Sequence, residues 1–382
     1  MQPAAVPLAL YVHLPWCVRK CPYCDFNSHQ RPASLPEAEY VEALLADLDQ
    51  DLPLVAGRSI HSIFFGGGTP SLFSGAAIAR LLHGVRARLP IEADAEITLE
   101  TNPGSAEFDR FEAYREAGVN RISFGVQSFD DEALRRLGRI HGADEARRAY
   151  ALARAAGYDN INLDLMYALP AQTLQAALDD LDAALQLAPE HIAHYHLTLE
   201  PDTVFAARPP ADLPDEDLAI DMQERCQQKL ADAGYAHYEV SAYARAGWRS
   251  QHNLNYWQFG DYLGIGAGAH GKISLDDGRL LRLAKQRTPR FYMDKVRDAL
   301  RVQERREVAG ADRCFEFMLN ALRLIDGVPR EFYRQRTGRD LDSEPGWQQA
   351  CAKGLVEPDC AVIKTTALGL RYLNDTLGCF QA

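Results

Sequence analysis

Three thiols stand close together near the start of this chain. Cys17, Cys21 and Cys24 follow one another at C-x3-C-x2-C spacing within YVHLPWCVRKCPYCDF, Tyr11 to Phe26. Thiolates are soft ligands, and three in one short loop can converge on one metal centre. Two chemistries fit. A structural zinc ion closes its shell with a fourth ligand, for which His13, Asp25 and His29 are the nearby candidates. An iron–sulfur cubane held by three thiolates keeps one iron open for a small molecule. Structural zinc usually draws on two paired clusters, and no second C-x2-C occurs here, so the spacing favours the open iron site.

Other polar residues recur in a pattern. Gly66-Gly67-Gly68-Thr69-Pro70 follows the apolar run Ile60 to Phe65. Glycines let the backbone approach a ligand closely and offer its polar groups. Glu100, Gln127 and Asp164 each stand at or near the end of an otherwise apolar run. Arg139 lies in Leu137 to His141, and its planar fork suits a ligand carboxylate. Taken singly, these read as a tight turn, solvated strand ends and a surface arginine. Taken together they belong to one end of one sheet, where parallel α/β folds gather their sites.

The elements that must position them alternate. Strands are expected at Leu8 to Leu14, Ile60 to Phe65, Ala95 to Thr101, Asn120 to Val126, Asn160 to Met166 and His191 to Thr198. Helical patterns fill the intervals, at Pro36 to Leu52, Gly75 to Leu89, Phe108 to Ala117, Asp130 to Leu137, Ala143 to Ala156 and Leu174 to Leu187. Six strand–helix repeats of about 30 residues call for a parallel sheet with right-handed crossovers. The expected fold class is α/β, a partial (β/α)6 barrel, with an open doubly wound sheet as the alternative. Residues 1–200 form this barrel core. A Pro-rich acidic boundary from Glu200 to Asp217 opens a middle region, 201–306, holding a polar-aromatic patch and the Gly-rich loop Gly264 to Gly271. Residues 307–382 read as three helices, a hairpin around Pro358 to Thr365 and a last helix, a small winged-helix-like domain.

Composition narrows the function. The 382 residues are 47% hydrophobic and 25% charged, ordinary for a globular chain with ample core. The net charge of -12 makes non-specific nucleic-acid binding a poor fit, because that affinity rests on neutralising phosphates. From residue 340 onward the basic residues are only Lys353, Lys364 and Arg371, so the winged-helix-like region is not expected to bind nucleic acid either. No apolar run approaches the roughly 20 residues of a transmembrane helix. No basic residue precedes the first apolar run, which argues against a secretory signal and for the cytoplasm. Of the eight cysteines, the five outside the cluster carry no motif and read as ordinary thiols.

The C-x3-C-x2-C spacing, with Tyr23 before the third cysteine, resembles the signature of the radical S-adenosylmethionine superfamily. That resemblance implies a 4Fe-4S cluster on Cys17, Cys21 and Cys24, with S-adenosylmethionine on its open iron and cleavage to a 5'-deoxyadenosyl radical. YVHLPWC, FFGGGTPS, ETNP, GVQSF, LGRIH and NLDLMYALP together resemble the group built around oxygen-independent coproporphyrinogen III oxidase. By this resemblance Tyr11, Gly67, Gly68, Thr69, Glu100, Gln127, Arg139 and Asp164 contact S-adenosylmethionine, and Tyr23 lies beside the cluster. No residue is assigned to catalysis.

Two departures matter. The oxidase carries a fourth cysteine where this chain has Phe26, and it has a longer N-terminal extension. Both features resemble instead the HemW branch, the heme chaperones of the same group. That branch also shows an H-N-x-x-Y-W motif, here His252 to Trp257. Histidine is a common heme ligand and aromatic rings pack on porphyrin faces, so heme contact is expected at His252, with His270 as the alternative iron ligand. A buried aromatic cluster around a hydrogen-bonded histidine is the plainer reading. His194 and His196, flanking Tyr195, are further candidates for lining a pocket. The expected activity is heme binding and delivery to an acceptor protein, with an electron donor serving the cluster. The alternative is the oxidase itself, which converts two propionates to vinyl groups.

Overall fold

The apolar run at the N-terminus becomes the middle of a sheet. In the computed structural model, which describes residues 6–55, 57–104, 110–308, 310–358 and 361–381, Leu8–Leu14 forms β1. It is followed by β2 (Ile60–Gly67), β3 (Ile91–Thr101), β4 (Arg121–Gln127), β5 (Ile161–Tyr167) and β6 (His191–His196). These six run parallel and adjacent in sequence order. The helices between them are α1 (Glu37–Asp51), α2 (Gly75–Arg86), α3 (Phe111–Ala117), α4 (Asp131–Arg136), α5 (Ala143–Ala155) and α6 (Leu174–Leu187). This is the expected partial (β/α)6 barrel. The start expected for α3, at Phe108, lies outside the described residues.

Local chemistry sets these elements. β1 is buried along nearly its whole length, as a parallel strand covered on both faces must be. Ser74 and Thr173 cap α2 and α6, each accepting from a backbone N–H three residues on, at 3.2 and 3.1 Å. Gly118 ends α3 in the left-handed region, where a side chain is disfavoured.

The sheet continues past the barrel on both sides. Helices α7 (Val204–Ala207) and α8 (Glu216–Asp232) lead to β7 (Ala236–Glu239) and β8 (Ala242–Ala244), and β8 pairs antiparallel with β6. Helix α9 (Gln251–Trp257) then leads to β9 (Asp261–Ile265), which returns to pair parallel with β1. β10 (His270–Ser274), β11 (Leu280–Lys285) and β12 (Val302–Val308) follow antiparallel, with α10 (Pro289–Lys295) between the last two. The order is β12-β11-β10-β9-β1-β2-β3-β4-β5-β6-β8-β7, twelve strands in one sheet. The patch read from sequence at Tyr238 to Trp257 therefore spans the end of β7, β8 and helix α9, and the loop Gly264 to Gly271 is the turn that joins β9 to β10.

Buried ion groups fasten the added strands. Asp47 and Asp51 of α1 receive Lys285 of β11 at 2.5 Å each, and Arg301 reaches Asp51 at 2.7 Å. Asp261 of β9 receives Arg58 and Lys272, both at 2.8 Å.

Beyond β12 lie α11 (Ala311–Ala321), α12 (Arg330–Thr337), α13 (Pro345–Ala352), α14 (Ala367–Arg371) and α15 (Leu373–Gly378). Val362–Ile363 pairs with Val328–Pro329, and Val356 bridges Thr365, which builds the winged-helix-like wing. Part of its tip, including Cys360, lies outside the described residues. A second apolar core joins Phe317, Trp347 and Phe380 to Phe259 and Leu280 of the sheet extension. Among the described residues no helix is long and apolar enough to cross a membrane.

Candidate functional site

After β1 the chain turns at Pro15, and Trp16–Cys17 pairs parallel with His29–Gln30. The loop between these pairs carries Cys17, Cys21 and Cys24, all half-buried free thiols. Burial pushes the Cys17 and Cys24 thiols up, so each holds its proton until a metal displaces it. Of the side chains named as possible fourth zinc ligands, the two histidines are engaged elsewhere. His13 Nε2 bonds the Asn27 carbonyl at 2.9 Å, and His29 Nε2 the Arg287 carbonyl at 3.2 Å. Among the described residues no three His, Cys, Asp or Glu side chains converge on a single-ion position. Thiolates that each bind a different iron of a cubane need not do so.

The sulfurs face a cavity of about 300 Å³ at the C-terminal ends of β2 to β6. Its wall includes Tyr23, Gly67, Gly68, Thr69, Glu100, Gln127, Arg139 and Asp164, so most of the residues singled out in sequence meet here. Gly67 has φ +110°, and a Cβ there would lie 2.5 Å from His13 Cε1. A Cβ on Gly68 would lie 2.6 Å from the Trp16 carbonyl oxygen. Both glycines thus hold the cysteine loop against β2. Gly67→Ala is expected to lower stability by about 2 kcal/mol or more, from the disfavoured φ together with the clash. Urea unfolding checks this, and an unchanged midpoint would count against it.

The charges in this cavity are not matched to one another. Glu100 is pushed up to about 8, first by burial and then by Asp164. Asp164 is pushed up to about 6 by burial, partly relieved by an Asn162 Nδ2 bond of 2.7 Å. Arg139 donates to the Asn102 Oδ1 at 2.6 Å, the Gly125 carbonyl at 2.7 Å and Cys21 Sγ at 3.5 Å. Its Nε is buried with no partner. Among the described residues Glu100, Asp164 and Arg139 enter no ion pair. Two buried carboxyls and a buried guanidinium, all unpaired, suit a ligand that brings both an ammonium and a carboxylate.

Ser123, Asn102 and Tyr195 are among the wall residues not singled out for this site. Ser123 shares a strand face with Gly125 and Gln127, so period-two spacing back from Gln127 would have found it. Asn102 sits inside ETNP and donates to Thr69 Oγ1 at 2.8 Å. Tyr195 faces the cavity and donates to Gln127 Oε1 at 2.7 Å. Its neighbours His194 and His196 take the other face, where both rings meet Tyr167. Alternation along β6 therefore assigns the cavity to the tyrosine and not to the histidines.

Two expected contacts lie apart from the cavity. Tyr11 donates to or accepts from His13 Nδ1 at 3.0 Å, and a Cβ on Gly66 would come 3.1 Å from its ring. It backs the glycine strand. His252 is only 3% exposed, its ring stacked on Phe64 with centroids 4.5 Å apart. Its Nδ1 is buried without a partner, and burial pushes it down to about 3, so it is neutral.

A second opening begins where the first ends. Phe26 lines both this first cavity and a groove of about 530 Å³ that also holds Tyr11, Tyr256, Tyr262 and His270. An adjoining hollow of about 540 Å³ shares Tyr262 and His270 and extends to Phe315 and Leu319 of α11.

Known proteins resemble this arrangement. The Radical SAM superfamily profile matches residues 11–184. A heme chaperone HemW from Escherichia coli (strain K12) is 51% identical over 377 residues, 98% of each chain. The heme chaperone HemW of Bacillus subtilis (strain 168) is 33% identical over 97% of this chain and 98% of its own. The solved structure of coproporphyrinogen III oxidase (HemN) from Escherichia coli, a radical SAM enzyme, superposes with a TM-score of 0.82. It covers 99% of this chain and 90% of that one at 25% identity. A chain that shares half its residues with such a relative, end to end, belongs to the HemW family of heme chaperones within the radical SAM superfamily.

Proposed function

We infer that this chain binds heme and passes it to an acceptor protein, with a 4Fe-4S cluster and S-adenosylmethionine in the first cavity. One observation carries the reading. The thiol trio, the glycine edge and the unpaired acid–base set share one cavity, and Phe26 alone of the cysteine loop reaches from it into a separate, larger groove. A cofactor site and a cargo site are thus adjacent but distinct.

The residues present fit the implied groups. Cys17, Cys21 and Cys24 would hold the cluster, and when bound it supplies single electrons received from a donor protein. Glu100 and the Gly67–Thr69 backbone would take the ammonium of S-adenosylmethionine. Arg139 would take its carboxylate, having no other acidic partner. Gln127 and Asp164 would close the remaining wall, with Tyr23 against the cluster. Tyr11 acts through the glycine strand. His252 contributes to the heme side by bracing Tyr256, whose ring it meets edge-on at 4.7 Å.

The cavity makes a pH prediction. Glu100, raised to about 8, is largely protonated in the empty site at pH 7. Binding an ammonium there expels that proton. Affinity for S-adenosylmethionine is therefore expected to rise as pH rises towards 8, by at most about tenfold per unit, and then level off. Equilibrium dialysis of the reconstituted protein reads this directly. Glu100→Gln should flatten the profile, and a wild-type profile that is already flat would remove Glu100 from the ammonium contact.

The overall test is anaerobic reconstitution followed by paired assays for hemin uptake and 5'-deoxyadenosine release. Stoichiometric heme uptake, and transfer to an apo-acceptor, is the expected result. The structural match to coproporphyrinogen III oxidase favours one other reading, oxidation of coproporphyrinogen III. Sustained anaerobic formation of protoporphyrinogen IX would establish that reading instead.

A further inference from the structure

The sheet extension exposes one continuous face beside the cofactor cavity. Register assigns its members. His270 of β10 stands opposite Ala284 of β11, and Ala284 opposite Glu304 of β12. Lys272, two residues on from His270, is buried and lines neither hollow; it pairs with Tyr262 on one side and Arg282 on the other, and Arg282 faces Arg306. Ala284 is small, so the floor next to His270 stays low. Helix α11 forms the far wall with Phe315 and Leu319. The cysteine loop forms the near wall with Phe26.

Given a heme cargo, as inferred above, we propose that His270 is the axial ligand to its iron and that the groove over β9 to β12 seats the porphyrin. His270 is exposed and belongs to both hollows, so it stands at their junction. A flat macrocycle laid across both would have the imidazole under its centre. The walls offer what such a ligand needs. Tyr256 and Tyr262 meet at right angles, centroids 4.4 Å apart, giving an aromatic side. Phe26 is 59% exposed and Leu319 41%, large apolar side chains left open at the two ends.

The groove also has a cation for the propionate edge. Arg287 is exposed, its Nε reaches only the Asn27 Oδ1, at 3.5 Å, and among the described residues it enters no ion pair. At the other end Arg282 and Arg306 bond Glu316 at 2.8 and 2.9 Å and Arg306 also pairs with Glu304 at 3.6 Å, so that end carries no excess charge. The two carboxylates at one edge of an otherwise apolar plate are therefore directed to the Arg287 rim.

His252 has no such access. Phe64 covers one face of its ring, Tyr256 abuts it, and it lines neither hollow. The HNxxYW motif therefore serves the groove through Tyr256, with His252 behind it. Backbone packing also fixes His270. A Cβ on Gly264 would lie 1.8 Å from the His270 carbonyl oxygen, so only glycine lets β9 come this close. Asn27 bonds the Ala267 and Arg287 carbonyls at 2.9 and 2.8 Å, which ties the cysteine loop to the groove rim.

The experiment is hemin titration of the purified full chain, read by absorption and electron paramagnetic resonance, on wild type, His270→Gly, His252→Ala and Ala284→Phe. His270→Gly should lose the histidine-ligated spectrum and bind hemin about 100-fold more weakly. Added imidazole should restore the spectrum, which a merely structural defect would not allow. Ala284→Phe should weaken binding at least about tenfold by filling the floor, while residual complex keeps the histidine spectrum. His252→Ala, which removes the brace behind Tyr256, should weaken binding but leave the histidine-ligated spectrum in the complex that forms. A His270→Gly protein with wild-type spectrum and affinity, or loss of the histidine-ligated spectrum confined to His252→Ala, would overturn the assignment and leave the heme reading intact. Wild-type protein that takes up no heme would overturn both.

Discussion

Anaerobically reconstituted Cys21→Ala protein is expected to hold almost no iron or sulfide, against about four of each per chain for wild type. On the proposed reading three thiolates from one loop hold the cluster, and Arg139 sits 3.5 Å from the Cys21 sulfur as its guanidinium neighbour. With one thiolate gone, the two left span too little of a cubane to hold it against oxidation and exchange. Cys17→Ala and Cys24→Ala should behave alike. Heme uptake should survive all three, because no cysteine lines the groove at His270. Iron and sulfide analysis beside hemin titration separates the two sites in one set of proteins. Zinc in place of iron, with no sulfide in wild type, would replace the cluster by a closed structural site.

The second large effect is on stability. Asp261 is fully buried and accepts from Arg58, Lys272, the Ser274 N–H and the Ser274 hydroxyl. Burial alone would raise its carboxyl, but Lys272 and Arg58 outweigh it, and the group is held below the ordinary carboxylate range. Lys272 is itself pushed down to about 8 by burial, so its charge depends on this one partner. Asp261→Ala strands both cations in the interior. The expected loss is about 3–5 kcal/mol, read as a lower urea midpoint. The sign with pH follows from the depressed carboxyl. The pair's contribution is present above the unfolded value near pH 4 and is lost as pH falls through the folded one. A loss under about 1 kcal/mol would mean that water already reaches the pair.

The barrel was legible because its strands are apolar and its helices amphipathic, in strict alternation. The six strand ends then placed Glu100, Gln127 and Asp164 on one rim without further information. The strands beyond Leu199 were not legible for a physical reason. β12, Val302–Val308, reads VQERREV and is exposed over most of its length, so nothing apolar marks it. Lys285 of β11 is buried against Asp47 and Asp51 of α1, more than 230 positions earlier in the chain. The same cause hid the groove. Phe26 and His270 are 244 positions apart in the chain and meet only through β9 beside β1. For His252, residue type suggested a ligand, whereas the stack of Phe64 and Tyr256 around it arises from strands and a helix that sequence spacing does not bring together.

The central place of β1 has a consequence for how the protein is made. Leu8 must pair with Asp261, so the first strand synthesised waits for a neighbour that emerges about 250 residues later. At roughly 5–20 residues per second, the cysteine loop spends about ten seconds to a minute on a nascent chain without its finished sheet. During that interval its three thiols are open to oxidation and to stray metal. Cluster insertion is therefore best timed after release, when β9 has closed beside β1 and Asn27 has drawn the loop onto the groove rim. Translation speed and the supply of iron and sulfide would then set the yield of loaded protein together.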